Sequence, residues 1–338
     1  MIYIVIGFLW LSICLYLVLG GADFGAGIVE LFTTKKERKF TKKIMYESIA
    51  PIWEANHMWL IIAIVILFVG FPVIYSFAST YLHIPLVLML VGIIARGTAF
   101  TFRHYDAVDD NWQVVYTQIF YYSSLLTPFF FGMIGASAIS GSLNPDANNF
   151  LDLYVLDWFN LFGIAVGFFT VSICAYLASI YSLRETYEAN NLRLMIRKSK
   201  QSTVFVVITG LIVFIAAYYS KIPLLERIFG GWIGIVAVSV ATIFLPMIYY
   251  FIKQRKLIIV RVLAAGQIIL ILVAATYQLY PDIILLQNGN HLSLLTDSAP
   301  EKTISFLAWA LMLGSIFILP FLFYLMYSFG RRNARGSE

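Results

Sequence analysis

Long apolar runs alternate with short polar segments along the whole sequence. The longest uncharged runs reach or exceed the roughly 20 residues that an α-helix needs to cross a bilayer. Polar, glycine, proline and charged clusters divide the chain into nine predicted spans. They lie at about 2–32, 51–75, 80–102, 114–139, 158–184, 202–220, 228–251, 258–279 and 303–328. The pattern predicts an all-α polytopic membrane protein with a single membrane domain, residues 1–338, arranged as two four-helix bundles and one peripheral helix.

The composition excludes a soluble globular protein. Hydrophobic residues make up 61% of the chain and charged residues 12%, whereas a soluble domain carries about 25% charged residues. The two cysteines, Cys14 and Cys174, both lie inside apolar segments. We therefore expect no disulfide framework and no thiolate metal site.

The distribution of basic residues predicts the orientation of the spans. Of the 23 Lys and Arg residues, 19 lie in the loops after spans one, three, five and seven or in the C-terminal segment. By the positive-inside rule, the N-terminus is outside and the C-terminus is cytoplasmic. The net charge is +5. Because the basic residues lie in alternate loops, they indicate membrane topology, and no nucleic acid partner is expected. Binding of anionic lipid by the same loops is the less favoured interpretation.

Ionisable residues inside the first three spans form one layer on the cytoplasmic side. Such residues are costly in a bilayer and usually mark function. They are Asp23 and Glu30 at the end of span one, Glu54 and His57 at the start of span two, and Arg96 and Arg103 in span three. Arg96 and Arg103 are interpreted as structural charges. Because Glu30 and Arg103 lie at the water boundary, we expect both to be solvated.

Two interpretations of this layer remain open. In the structural one, Asp23, Glu54 and Arg96 only neutralise one another and fix the register of the helices. In the functional one, a protonatable Glu54 with His57 nearby relays protons from the cytoplasm, with Asp23 as a further candidate. For Glu54 the two interpretations are balanced, and for Asp23 and Arg96 the structural one is favoured.

The histidines do not predict a haem or metal site within this chain. A bis-histidine haem needs two imidazoles that face each other in one bundle. The four histidines, His57, His83, His104 and His291, lie at different depths or in loops of the predicted topology. We therefore expect a membrane subunit that supports the chemistry of a partner. His57 as a single axial ligand is the alternative.

Three short motifs identify a family. The runs GGADFGAG at 20–27, PIWEANHMWL at 51–60 and RGTAFTFR at 96–103 together resemble subunit II of cytochrome bd-type quinol oxidases. The length, the nine predicted spans and the outside N-terminus also resemble that family.

The resemblance implies a two-subunit enzyme of the bacterial cytoplasmic membrane that oxidises membrane quinol and reduces O2 to water. It implies that the haem-bearing subunit I carries the b-type haems and haem d, or haem b in its place. Subunit II is then a haem-free, multi-pass partner in a heterodimer that contacts membrane lipid and quinone. A small accessory single-span subunit is a further possible partner.

The resemblance also suggests roles for single residues. The family's motif carboxylate falls on Glu54, which implies a proton path along the subunit interface, and the following motif tryptophan falls on Trp59, near an apolar route for O2. The family's aspartate of span one and arginine of span three fall on Asp23 and Arg96.

The sequence departs from the family pattern at three positions. Glu54 stands where the family commonly has Asp, which preserves a titratable carboxylate. His57 and Thr101 stand where it commonly has acids, which changes the charge of the layer and is typical of a divergent, cyanide-insensitive branch.

Two rival functions are compatible with the composition. A proton-coupled transporter also uses buried charges, but places them near the midplane in matching repeats, whereas the second half of this chain shows no matching buried charge by its sequence. A purely structural assembly subunit is the stronger alternative.

Overall fold

The protein is described by a computed structural model that covers residues 1–49, 53–105, 112–186 and 189–335. The α-helices are α1 Ile2–Leu15, α2 Gly21–Leu31, α3 Lys35–Ile49, α4 Trp53–Gly70, α5 Pro72–Tyr81, α6 His83–Tyr105, α7 Trp112–Ser140, α8 Leu161–Tyr181, α9 Ala189–Tyr219, α10 Leu224–Phe229, α11 Trp232–Lys253, α12 Leu257–Thr276 and α13 Glu301–Arg335. Short π-helical segments lie at Tyr16–Gly20 and Asp152–Leu156, and a 3-10 turn lies at Ser182–Glu185. The strands β1 Asp282–Leu285 and β2 His291–Ser293 form an antiparallel hairpin.

Nine helical segments within the described ranges are long and apolar enough to cross a membrane, with mean hydropathies between 1.3 and 2.6. They are Ile2–Leu31, Trp53–Gly70, His83–Arg103, Trp112–Ser140, Asp152–Glu185, Asn191–Tyr219, Trp232–Lys253, Leu257–Thr276 and Glu301–Phe321, here called spans one to nine. The predicted all-α polytopic fold with nine transmembrane helices is confirmed.

The helices pack as two groups joined along a central seam. Helices α1 and α2 contact α4 and α7, and α6 packs along α7. In the second group α8 packs against α9 and α12, and α11 against α12. The seam is made by α2 and α7 against α8, while α13 lies against α1 and α4. Spans one, four and five therefore form the centre of the molecule.

Small residues in span one allow this close packing. A Cβ atom on Gly25 would collide with the main-chain carbonyl of Cys174 in α8. On the opposite side, a Cβ atom on Gly27 would collide with the Ser124 side chain in α7. Glycine is required at both positions because neighbouring helices approach the α2 backbone directly.

One end of the bundle carries an amphipathic helix, α3. Thr41, Ile44 and Met45 are buried, and the helix packs on α2 and on the 3-10 turn that ends span five. Its other face carries exposed lysines: Lys35, Lys36, Lys39 and Lys43. We call this end, which is predicted to face the cytoplasm, the basic end.

Candidate functional site

The centre of the site is a buried ion pair between spans one and three. Arg96 Nη1 donates to Asp23 Oδ2 at 2.7 Å, and Arg96 Nη2 donates to Asp23 Oδ1 at 2.7 Å. Nη2 also donates to the Asp23 carbonyl at 2.8 Å, and Nε donates to Ser124 Oγ at 3.2 Å. Both charged residues are 1% exposed. This bidentate geometry is the strongest form of a charged hydrogen bond and compensates two buried charges.

Aromatic rings enclose the guanidinium group of this pair. Arg96 Cζ lies 5.0 Å from the Phe24 ring centroid and 5.1 Å from that of Phe120. A cation over an aromatic face gains electrostatic stabilisation while water is excluded. The pair is therefore held by three spans at once, because Phe24 belongs to α2 and Phe120 to α7.

His57 approaches the pair from span two. Its Nε2 lies 3.5 Å from Asp23 Oδ2, and its ring lies 6.2, 5.7 and 6.3 Å from the rings of Tyr16, Phe24 and Trp53. Its Nδ1 is buried and has no hydrogen-bond partner within the described residues.

Glu54 lies outside the buried pair. It is exposed on α4, one helical turn before His57. Its face of the helix continues with the exposed apolar side chains Met58, Ile61, Val65 and Phe68. The interpretation that Glu54 joins Asp23 and Arg96 in mutual neutralisation is therefore wrong, since Arg96 pairs with Asp23 and Glu54 points to the surface of the chain.

Trp59 lies on the inner side of α4. It is 6% exposed and packs in an apolar cluster with Tyr16 and Phe24. Among the described residues, its Nε1 and the Tyr16 hydroxyl are buried without hydrogen-bond partners. Tyr16 opens the π-helical segment of span one, a distortion often found at functional sites.

Glu30 and Arg103 form a second buried pair, which corrects the expectation that water solvates them. They are 2% and 4% exposed, and Arg103 Nη2 donates to Glu30 Oε2. Arg103 Cζ also lies 4.8 Å from the Phe120 ring centroid and 5.6 Å from that of Tyr121. Helices α3 and α7 cover this level of the bundle, so the water boundary lies beyond it.

A cavity of about 40 Å³, lined by four polar and four apolar residues, lies beside Asp23. Its lining includes Ser48 from α3, Asn56 from α4 and Tyr181 from α8. The Ser48 hydroxyl is buried without a partner within the described residues. A cavity of this size and polarity has room for water, which needs roughly 10–15 Å³ per molecule. Sequence reasoning missed Ser48 because no pattern in α3 distinguishes it.

Lys198 corrects the expectation that the second half of the chain holds no buried charge. It is 8% exposed on α9. Its Nζ lies 2.7 Å from Thr33 Oγ1 and 3.7 Å from a Glu37 carboxylate oxygen. The sequence placed Lys198 in a basic loop, and its burial became visible only once α3 packed nearby.

The other histidines lie away from this cluster. His83 Nδ1 is 2.8 Å from the Thr80 carbonyl, and His291, with a 55% exposed side chain, is 3.7 Å from Asp282. The side chain of His104 lies outside the described residues. No group of three or more His, Cys, Asp or Glu that could hold a metal ion occurs among the residues described.

The sequence of this chain matches a known protein family. Residues 1–329 match the family model described as cytochrome bd terminal oxidase subunit II. The chain is 26% identical over 242 residues to cytochrome bd ubiquinol oxidase subunit 2 of Bacillus subtilis (strain 168), covering 71% of this chain and 69% of that one. It is 26% identical over 200 residues to cytochrome bd-I ubiquinol oxidase subunit 2 of Escherichia coli (strain K12), covering 56% of this chain and 52% of that one.

The fold also matches a solved structure, that of bd oxidase from Geobacillus thermodenitrificans. The TM-score is 0.76 at 17% sequence identity, and the match covers 97% of this chain and 98% of that chain. At this identity the likeness concerns the fold alone. The resemblance stated from the three sequence motifs is confirmed by the family model.

Proposed function

We propose a function on one premise: the chain belongs to the cytochrome bd terminal oxidase subunit II family, and is therefore a subunit of a quinol oxidase complex. In this proposal the complex oxidises membrane quinol and reduces O2 to water, with the haems in subunit I. This chain contributes a docking face and a proton relay of its own. The outside N-terminus, haem d or b in the partner and a small accessory subunit belong to the same proposal.

The docking face lies on spans two and three. The exposed side of α4 is apolar beyond Glu54, and the exposed side of α6 carries Val87, Val91 and Ile94 followed by Thr98. Small residues at this end of α6 let a second helix approach closely. A carboxylate at the edge of an otherwise apolar face favours a protein partner over lipid, because lipid offers it no hydrogen-bond donors.

The proton relay consists of His57 and Glu54. The observation that carries the proposal is their arrangement one turn apart on α4, with His57 3.5 Å from the buried Asp23 and Glu54 on the exposed face. Two titratable groups thus connect the interior of this chain with the face assigned to subunit I. In this relay Asp23 stays paired with Arg96 and positions His57, and Trp59 lines the apolar O2 route suggested by the family.

The relay is tested by Glu54→Gln in the assembled complex. Removal of a proton-transfer group should slow O2 consumption with excess quinol by at least about tenfold, while the haem content per complex stays unchanged. Glu47→Gln is the matched control, because the side chain of Glu47 on α3 is 42% exposed and its contact with Lys43 is long, at 3.9 Å. Full turnover in Glu54→Gln would refute the relay.

The haem-free role has its own test. A haem on His57 would need open space beside the imidazole, whereas aromatic rings lie 5.7 to 6.3 Å from the His57 ring. This crowding supports a haem-free role for the chain. His57→Gln should therefore leave the haem content of the purified complex unchanged. Loss of one haem per complex would instead make His57 an axial ligand.

A purely structural assembly role is the second candidate function. The observation that favours it is the pair of buried salt bridges, Asp23 with Arg96 and Glu30 with Arg103, which join spans one and three. Such pairs fix helix register without moving protons. This candidate predicts that Glu54→Gln changes either nothing or the amount of assembled complex, and not the turnover per haem.

A further inference from the structure

Several cationic residues lie near the Glu30–Arg103 pair in the part of the chain that the structure describes. Arg38 of α3 and Arg103 of α6 lie beside the same aromatic ring, with their Cζ atoms 6.0 and 5.6 Å from the Tyr121 ring centroid. Lys42, one turn further along α3, is close enough to act electrostatically on Glu30. The nearby Glu37 is directed to Lys198. Among the described residues, Glu30 thus has Arg38, Lys42 and Arg103 as cationic neighbours.

Several donors in this cluster lack acceptors. Arg103 uses Nη2 for Glu30, but its Nε and Nη1 are buried without a hydrogen-bond partner within the described part of the chain. The same holds for Arg38 Nε and for the hydroxyl of Thr41, which is fully buried. The Arg103 side chain is 0% exposed. Buried donors are rarely left unsatisfied in a native protein, so these donors suit a ligand with several acceptor oxygens.

The position of the cluster identifies the kind of ligand. It lies at the basic end, under the exposed lysines of α3, and next to Phe32, which ends span one and is 75% exposed. An exposed aromatic residue beside lysines at a helix end is typical of the level of lipid headgroups. Guanidinium groups present forked donors that match phosphate oxygens.

We propose that Arg38, Thr41 and Arg103 bind a phosphate group, supplied by the headgroup of an anionic phospholipid or by free phosphate. Arg103 presents Nη1 to the phosphate while it keeps Glu30 on Nη2, and Arg38 presents Nε. Lys42 and the outer lysines of α3 increase the local concentration of anionic headgroups.

The test uses the whole purified complex after lipid removal with detergent. Phosphatidylglycerol, phosphatidylcholine or inorganic phosphate is added separately, and native mass spectrometry counts the bound molecules. Arg38→Gln should weaken phosphatidylglycerol binding about tenfold, since hydrogen bonds to charged groups are the strong ones. Lys39→Gln is the matched control, because it removes the neighbouring exposed charge of α3 and should change the affinity by less than about twofold.

The arms of the experiment separate the two sources. Arg38-dependent binding of phosphatidylglycerol that millimolar phosphate does not displace assigns the site to a lipid headgroup. Arg38-dependent binding of inorganic phosphate without lipid assigns it to free phosphate. Equal affinities of the wild-type complex, Arg38→Gln and Lys39→Gln would overturn the proposal. Should Arg38→Gln fail to assemble, Thr41→Val removes one donor at nearly constant volume, and unchanged binding in that variant would overturn it as well.

Discussion

Arg96→Met should strongly destabilise the protein, because it leaves Asp23 as an uncompensated charge in the bundle. Removing one partner of a buried ion pair costs about 3–5 kcal/mol. Asp23 would then keep His57 as its neighbour at 3.5 Å, but would lose the two 2.7 Å hydrogen bonds from Arg96. We expect less assembled complex and a lower free energy of unfolding.

The geometry supports this magnitude. With nitrogen-to-oxygen distances of 2.7 Å, the centres of the two charges are separated by about 4 Å, and their attraction at an effective dielectric constant of about 20 is about 4 kcal/mol. The bond to Ser124 involves a charged donor and adds about 1.5–3 kcal/mol. Ser124→Ala should therefore cost roughly half of what Arg96→Met costs, and it serves as the control for the loss of a single bond to the guanidinium group.

A double-mutant cycle tests the compensation directly. Asp23→Asn, Arg96→Met and the double variant are purified as complexes and unfolded by SDS titration in mixed micelles, followed by circular dichroism. If the two charges compensate each other, the double variant should recover about 2–3 kcal/mol of the summed losses. A double variant as unstable as that sum would refute the assignment of Asp23 and Arg96 as one neutral unit.

Two further predictions concern the packing and the second pair. Gly25→Ala should abolish assembly, because its Cβ would collide with the Cys174 carbonyl. Gly7→Ala is the control and should be tolerated, since nothing lies within 4 Å of its Cβ. Normal amounts of Gly25→Ala complex would contradict the close approach of α2 and α8. Glu30→Gln should cost about 3–5 kcal/mol by leaving Arg103 unpaired; SDS titration measures this loss, and a change below about 1 kcal/mol, as for exposed pairs, would mean that water solvates the pair.

The fold was predictable because its main determinant is local in the sequence. Each span must satisfy its own backbone hydrogen bonds and offer an apolar surface about as long as the bilayer is thick. Apolar runs therefore reveal the number and type of spans without any knowledge of their packing. Helix α3 shows the limit of that reasoning: its 15 residues have a mixed composition, and the pattern between spans one and two read as a basic loop.

The layer of charges was predictable, but its pairing was only partly so. Depth along the span placed Asp23, Arg96 and His57 together, and the structure brings them into contact. The depth of a residue in the membrane does not reveal which side of its helix it occupies. Glu54 was therefore grouped with Asp23 and Arg96, although it lies on the exposed side of α4. Depth also does not reveal which other helices cover the end of a span. Glu30 was therefore expected to be solvated, although α3 and α7 bury it.

The equal spacing of the two acids in span one and the two arginines in span three indicates the register in which these spans pack. Asp23 and Glu30 are seven residues apart, as are Arg96 and Arg103, and each salt bridge joins residues 73 positions apart. Seven residues rise about 10.5 Å along a helix. Because the two helices run in the same direction, equal spacing lets both pairs close at one register, and a shift by one turn would break both. Two fixed pairs thus hold spans one and three at a single register.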